Sequence, residues 1–388
     1  MYERALLRTL RKFEKKSVLL LGPRQVGKST LLKSLEPEVS IDLSGAEAYR
    51  KYVGHPERLE RELRLPVKSR GRRTVFIDEV QRIPALLDVV QSVLDSAPDH
   101  FRFLLSGSSA RKLRGGQANL LPGRVLVHAL HPLIEAELGS DFHLDRALAH
   151  GTLPGVYSEV DSELRGRILR SYADTYLREE IQAEALVRDI GGFSRLFDLI
   201  AAASGRILNL NALSQDAGVV YDTARRYIAV LEDTLVLWRI PAWSGSDRAS
   251  LVAHPKILLF DLGVRNALLR RPLDQPLPDE RGLLLEHFVG LELLRRIGTI
   301  WPEARLFHFR TRSGLEVDYV LEVGRELWGI EVKASESTSR QDFRGLAGLA
   351  ARTKSLKRRI VVYLGDRAQH DEGHEILPLR EFLAGLPS

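Results

Sequence analysis

Residues Ser17 to Thr30 read SVLLLGPRQVGKST, and the fold of the amino-terminal part follows from them. The apolar run Val18 to Leu21 predicts a buried strand. It breaks at Gly22 into a loop that enters a helix at Lys28-Ser29-Thr30. Gly22, Gly27, Lys28 and Ser29 complete the spacing G-x-x-x-x-G-K-[ST]. Such a loop wraps backbone N–H groups around phosphate oxygens, and the helix behind it turns its positive end toward them. The expected nucleotide-binding residues are Gly22, Pro23, Arg24, Gln25, Val26, Gly27, Lys28, Ser29 and Thr30. Lys28 is expected at the β- and γ-phosphates and the Ser29 hydroxyl on Mg²⁺, so ATP and Mg²⁺ are the expected ligands.

A phosphate loop needs an acidic partner strand, and RRTVFIDEVQRIP, residues 72–84, supplies one. Thr74 to Ile77 is a strand ending in Asp78-Glu79, with Asp78 placed to hold Mg²⁺ through water beside Ser29. Glu79 is the expected base that polarises the attacking water. The next strand, Phe101 to Leu105, stops in a polar cluster, Ser106 to Ser109. Ser106 and Ser108 either approach the γ-phosphate, as residues at the carboxyl ends of parallel strands do, or cap an ordinary loop. After a turn at Pro122-Gly123, Arg124 precedes a fifth strand, the second being expected at Val39 to Leu43. It either supplies positive charge to the transferred phosphoryl group, in its own subunit or a neighbour's, or is a surface arginine. Expected helices span residues 1–16, the stretch from Lys28 to Pro37, and 56–65. Strands alternating with helices predict a parallel α/β sheet.

With 388 residues, 44% hydrophobic and 28% charged, the chain has the makings of two or three globular domains. It has no cysteine, which excludes disulfides, thiolate nucleophiles and Cys-based zinc sites. No apolar run approaches the length of a membrane span, and the amino terminus lacks a signal-peptide core, so a cytoplasmic location is expected. The net charge is +6, and 45 of the 57 basic residues are Arg. That excess suits a nucleic-acid partner, and an Arg-rich genome composition accounts for it equally well.

From His131 to about Leu186 the pattern turns helical, with a break at Gly151 to Gly155. From Leu208 a short helix, a turn at Gly218-Val219-Val220 and a second helix, Tyr221 to Glu232, follow. Ala224, Tyr227, Ile228 and Leu231 fall on the inner face of the second helix, leaving Asp222, Thr223, Arg225 and Arg226 outward. A strand in LVLWRI completes the outline of a winged helix-turn-helix, a module that serves DNA contact or protein contact. Residues 241–282, with Pro272, Pro276 and Pro278, predict a linker or loop between units, carrying one apolar strand at Ile257 to Phe260. GLLLEHFVGLELLRRIG predicts a helix buried nearly all round, which sets Glu286 among apolar neighbours where a carboxylate needs a partner.

Residues 316–335, EVDYVLEVGRELWGIEVKAS, predict a β-hairpin. A two-residue turn at Gly324-Arg325 pairs Val323 with Glu326. Counting back places Asp318 opposite Glu331 and Glu316 opposite Lys333, all on one face. Facing carboxylates repel unless a cation lies between them, and Mg²⁺ prefers such hard oxygen ligands. The alternative is a solvated face on which Glu316 and Lys333 form a surface ion pair.

The order GPRQVGKS, FIDEVQ, LLSGSS, PGRVLVHALHPL resembles the AAA-type domain of a widespread family of prokaryotic ATPases in the AAA+ and STAND neighbourhood. RTRSGLEVDYV and WGIEVKAS resemble that family's second domain, which is similar to the PD-(D/E)XK restriction-endonuclease and Holliday-junction-resolvase fold. The resemblance implies that Lys28, Ser29, Asp78 and Glu79 serve the ATPase. It implies that Asp318, Glu331 and Lys333 match D…ExK, with Glu286 as the acidic residue of the first helix. Val317 stands where that motif ordinarily has proline. The expected architecture is therefore an AAA-type P-loop ATPase domain (1–135), a helical segment with a winged helix (136–240) and an α/β restriction-endonuclease-like domain (241–388). The expected function is ATP hydrolysis coupled to action on DNA, with metal-dependent cleavage, in a chain that can form homo-oligomers. Two other readings stand: a STAND-like nucleotide-gated switch whose carboxyl-terminal domain only binds, and a nuclease using ATP only to control conformation.

Overall fold

The computed structural model describes residues 2–65, 71–108, 121–177, 189–244, 251–273 and 275–388. It divides into two compact units. The first comprises Glu3–His131 with Asp233–Leu235, the second Tyr2, Pro132–Glu232 and Val236–Ser388.

The first unit opens with α1 (Ala5–Lys12), which buries Leu6, Leu7 and Leu10. Its five strands are β1 (Ser17–Leu21), β2 (Val39–Asp42), β3 (Arg73–Asp78), β4 (Phe101–Gly107) and β5 (Val125–Ala129). They form one sheet in the order β2-β3-β4-β1-β5, every pair parallel. A central parallel strand is covered on both faces and needs a continuous apolar run, which is what Val18 to Leu21 and Phe103 to Leu105 provide. Helices α2 (Lys28–Lys33), α3 (Ala46–Val53), α4 (Arg58–Leu63) and α5 (Leu86–Ser96) complete the unit. The sequence pattern marks neither α3 nor α5. One expectation needs correcting: β4 does not stop before the serines but runs through Ser106 and Gly107, because both stay paired to β1, opposite Leu20 and Leu21. Ser109 lies outside the described residues.

The second unit begins with helices, among them α6 (Leu144–His150), α7 (Ser162–Ser171), α8 (Ile190–Ala203), α9 (Leu210–Asp216) and α10 (Tyr221–Asp233). Helix α10 buries Ala224, Tyr227, Ile228 and Leu231 as its period requires. It leads into an antiparallel ribbon of β6 (Leu237–Ile240) and β7 (Lys256–Leu259). This ribbon joins residues on both sides of 240/241. Residues 241–282 are not a linker throughout, since α11 (Leu262–Leu268) within them has every residue buried. Residues 178–186 of the expected helical stretch and 245–250 of the expected linker lie outside the described residues.

Helix α12 (Arg281–Ile297) is buried on nearly every side. It precedes a mixed six-stranded sheet, β12-β13-β11-β10-β9-β8. The strands β8 (Ala304–Arg310), β9 (Glu316–Val323) and β10 (Glu326–Val332) form an antiparallel meander. Helix α13 (Arg344–Ala350) then crosses to β11 (Leu356–Tyr363), parallel to β10. The edge is finished by β12 (Gln369–Asp371), β13 (His374–Pro378) and the last helix, α14 (Leu379–Ala384). The meander turns at Gly324, whose φ of 61° suits glycine, and Val323 pairs with Glu326. Gly290 sets β9 against α12. A Cβ there would lie 2.3 Å from the Tyr319 hydroxyl, which donates to the Glu286 carbonyl at 2.8 Å. That close approach brings Glu286 of α12 beside Asp318 of β9.

Candidate functional sites

In the first unit the loop from Gly22 to Gly27 leaves the carboxyl end of β1, between β4 and β5. Gly22 admits no side chain, since a Cβ would stand 2.3 Å from the Leu130 carbonyl oxygen. Gln25 and Gly27 turn the chain at positive φ, 63° and 92°. Lys28 is buried at the start of α2, and its ammonium donates to the carbonyls of Gly22 and Pro23 at 2.8 and 2.9 Å. Ser29 is partly exposed on the same first turn. Sequence reasoning missed Arg4. This buried guanidinium donates to the Val26 carbonyl at 2.7 Å and the His131 carbonyl at 2.6 Å, tying the loop to the end of β5. Its partners are 22 and 127 residues away, a distance no local pattern spans.

The carboxyl ends of β3 and β4 carry the acidic part. The buried Ser106 hydroxyl donates to the Asp78 carboxylate, and the same oxygen accepts from the Glu79 N–H at 3.1 Å. Ser106 thus orients both acidic residues. Glu79 stands in the left-handed region, φ 57° and ψ 45°, a conformation that costs a side-chain-bearing residue about 1–2 kcal/mol. Strain of that kind persists where surroundings over-determine it. Gln81 is one such constraint, its amide donating to the Glu79 carboxylate and, at 3.0 Å, to the Ser108 hydroxyl.

Arg124 lies elsewhere. Val125 is paired with Ser17 at the amino end of β1, and Ala129 with Leu21 beside the loop. Arg124 therefore sits at the opposite edge of the sheet, in a two-pronged ion pair with Asp95 at 2.5 and 2.9 Å. At about 3.3 Å per residue, five or six residues of strand place it about 16–20 Å from its own phosphate loop. That separation holds its guanidinium away from the phosphate loop of its own subunit.

The second cluster belongs to the second unit. The β9–β10 ladder holds to Tyr319–Ile330 and then opens, because the Val332 N–H is taken by the Asp318 carboxylate at 2.8 Å. Neither expected facing pair, Asp318 with Glu331 or Glu316 with Lys333, is part of the ladder for that reason. Glu316 pairs with Arg310 at 3.3 Å, and Lys333 with Glu331 at 2.8 Å. Asp318, Glu331 and Glu286 are brought together with Lys333. Burial, then the nearby Asp318 carboxylate, pushes Glu331 up to about 8 against the opposing pull of Lys333. The same two causes raise Glu286 to about 7 against Lys256.

Lys256 was not foreseen. It is 1% exposed, its ammonium is 2.5 Å from Glu286, and it also donates to the Asp318 carbonyl at 3.2 Å. Burial would lower its pKa, but Glu286, Asp318 and Glu316 together raise it. Among the described residues no three acidic or histidine side chains converge closely enough to enclose a metal ion. Asp318 and Glu331 offer two carboxylates, and Glu331 Oε2 is buried with no hydrogen-bond partner. That orphaned hard oxygen fits a single divalent cation better than a softer metal.

Residues 14–139 match the family described as "AAA domain". This supports nucleotide-binding ATPase activity in an α/β fold with a parallel sheet. Residues 141–275 and 281–382 match two families described as domains of unknown function, DUF8612 and DUF4143. An uncharacterized protein of Mycobacterium tuberculosis is 28% identical over 381 residues, 96% of this chain and 80% of that protein. A proteasome-activating nucleotidase of Pyrococcus abyssi is 41% identical over 73 residues, 18% of each chain. Among solved structures, C. elegans PCH-2 overlaps 60% of this chain and 66% of its own at 14% identity, with a TM-score of 0.26. The Bacillus subtilis DNA clamp loader delta protein overlaps 58% and 86% at 13% identity, with a TM-score of 0.24. No helix among the described residues is long and apolar enough to cross a membrane.

Proposed function

We propose that the protein hydrolyses ATP with Mg²⁺ at the Gly22–Thr30 loop and couples this to a nucleic-acid partner held by the second unit. The observation that carries the ATPase part is the Ser106 bridge, which sets Asp78 and Glu79 side by side at the sheet edge where the loop begins. In this reading the loop N–H groups and Lys28 hold the phosphates, and Ser29 with Asp78 hold Mg²⁺. The ion supplies charge neutralisation at the β- and γ-phosphates. Glu79, steadied by Gln81, accepts the proton of the attacking water as the bond from the γ-phosphorus to the bridging oxygen breaks. Lys28→Ala should abolish turnover. Glu79→Gln should retain ATP binding and lose hydrolysis, and unchanged turnover in that variant would remove Glu79 from the role of base.

The nucleic-acid part is supported by the helix-turn-helix of α9 and α10 followed by the β6–β7 ribbon. Arg225 and Arg226 are exposed on α10, and Arg225 lies 3.5 Å from Asp222. Asp318, Glu331 and Lys333 are proposed as a divalent-cation site for a phosphodiester. Asp318 and Glu331 would hold the cation, which would supply charge to polarise the phosphate, while Lys333 would orient the attacking group. ATP with Mg²⁺ or Mn²⁺ and a panel of linear, branched and single-stranded DNAs, scored for hydrolysis and nicking together, tests the reading. ATP turnover indifferent to every DNA would refute it.

A further inference from the structure

Four carboxylates crowd the base of the β9–β10 hairpin: Glu286, Glu316, Asp318 and Glu331. Each described cation there is committed: Arg310 to Glu316, Lys333 to Glu331 and Lys256 to Glu286. Among the described residues the Asp318 carboxylate accepts one hydrogen bond, from the Val332 N–H. Lys256 differs in kind from the other two cations. Arg310 and Lys333 are partly exposed and can swing away, whereas Lys256 lies in β7, paired to Ile240 and bridged to Ile207. Its ammonium is enclosed by Glu286 Oε1, the Asp318 carbonyl and the Tyr319 ring, whose centroid is 5.1 Å away. Between residues 113 and 332, where arginine is used throughout, Lys256 is the single lysine. A compact ammonium meets these partners as a point charge, which a planar guanidinium fork does not.

We propose that Lys256 is a built-in cation that withdraws Glu286 from the ligand set and leaves the cluster one divalent-cation position, formed by Asp318 and Glu331. The inference rests on the metal-binding reading of the cluster. A helix-borne carboxylate beside two strand-borne ones would otherwise make a third ligand. Here its oxygen is already spent on an ammonium that is buried and also held by the Asp318 carbonyl. The cluster is thereby set to bind one cation weakly and exchangeably, on the strength of two carboxylates.

Calorimetric titration of the full, nucleotide-free chain with Mn²⁺ separates this inference from the reading beneath it. The wild type should take up one ion, and Asp318→Asn should lose at least tenfold in affinity. If the wild type takes up none, or Asp318→Asn binds as well as wild type, the metal-binding reading falls and the inference with it. Given those two results, Glu286→Gln decides. Its affinity should stay within twofold of wild type, because Glu286 is no ligand, and a tenfold loss would overturn the inference while leaving the reading standing. Lys256→Met should free Glu286 and tighten binding at least tenfold, and unchanged affinity in a folded variant would also overturn it. Should Lys256→Met not fold, as its tryptophan emission would reveal, the double variant Lys256→Met with Glu286→Gln removes both buried charges. It should return to wild-type affinity, and a tenfold departure in either direction would overturn the inference.

Discussion

Glu331 makes a prediction whose size follows from its surroundings. Its carboxyl is buried beside Asp318, one oxygen lacks a partner, and its pKa is raised from 4.5 to about 8. A group raised in this way contributes stability fully below its unfolded pKa, and that contribution is lost as pH rises from about 4.5 through about 8. The folded state holds a proton that the unfolded state releases. The difference of about three and a half pH units, at about 1.4 kcal/mol each, sets a ceiling of about 5 kcal/mol. Glu286 titrates in the same window and relieves part of the repulsion, so about 2–4 kcal/mol is expected from Glu331 alone. Glu331→Gln matches the protonated side chain in shape. It should be neutral at pH 5 and stabilising by about 2–4 kcal/mol at pH 9. All four tryptophans, Trp238, Trp243, Trp301 and Trp328, lie in the second unit, so urea unfolding followed by their emission reports on that unit by itself. The measurement is made with chelator, then repeated with Mn²⁺, which should remove most of the wild-type loss at high pH. Equal losses between pH 5 and pH 9 in wild type and Glu331→Gln would refute the account of the cluster.

Three further outcomes are expected. Gln81→Leu should lower ATP turnover about 10-fold with little change in ATP affinity, since Gln81 steadies Glu79 without touching the phosphates; a fall in affinity alone would contradict this. Arg4→Gln should weaken nucleotide binding several-fold by releasing the Val26 carbonyl, measured by equilibrium titration with a fluorescent nucleotide, and unchanged affinity would mean the loop holds its shape unaided. Arg225→Ala with Arg226→Ala should reduce the slope of log K against log salt for DNA by about 1–2, and an unaltered slope would move the contact surface away from α10.

What was legible in the sequence was whatever local chemistry decides. The strand and loop from Ser17 to Lys28, Asp78-Glu79 at the end of β3, and the turn at Gly324 each follow from spacing within a dozen residues. What escaped depends on approaches between distant segments. Lys256 at the head of an apolar strand carries no mark of its role until Gly290 lets Tyr319 close on α12 and brings Glu286 within reach. The hairpin count was right through Tyr319 and Ile330 and failed beyond it, because a side chain, Asp318, took the N–H that the ladder would have used. From the sequence, Ser106 reads either as a residue near the γ-phosphate or as a cap of an ordinary loop. Its burial in β4 makes it first a bridge between two acidic residues.

The position of Arg124 bears on assembly. A phosphoryl group at the Gly22–Thr30 loop and a guanidinium beyond the amino end of β5 face opposite edges of one sheet. Sheet twist does not bring the two edges together, because both residues flank the same adjacent pair of parallel strands. No side-chain rotation spans about 16–20 Å either. Within one chain, then, Arg124 has the work that Asp95 assigns it, anchoring the start of β5 to α5 at the surface. The pair lies at the surface, where solvent screens it and little is lost by giving it up. If Arg124 acts on a nucleotide at all, the nucleotide is that of a second copy. The amino edge of one sheet would then have to meet the carboxyl edge of the next, a head-to-tail contact that closes into a ring when its rotation allows.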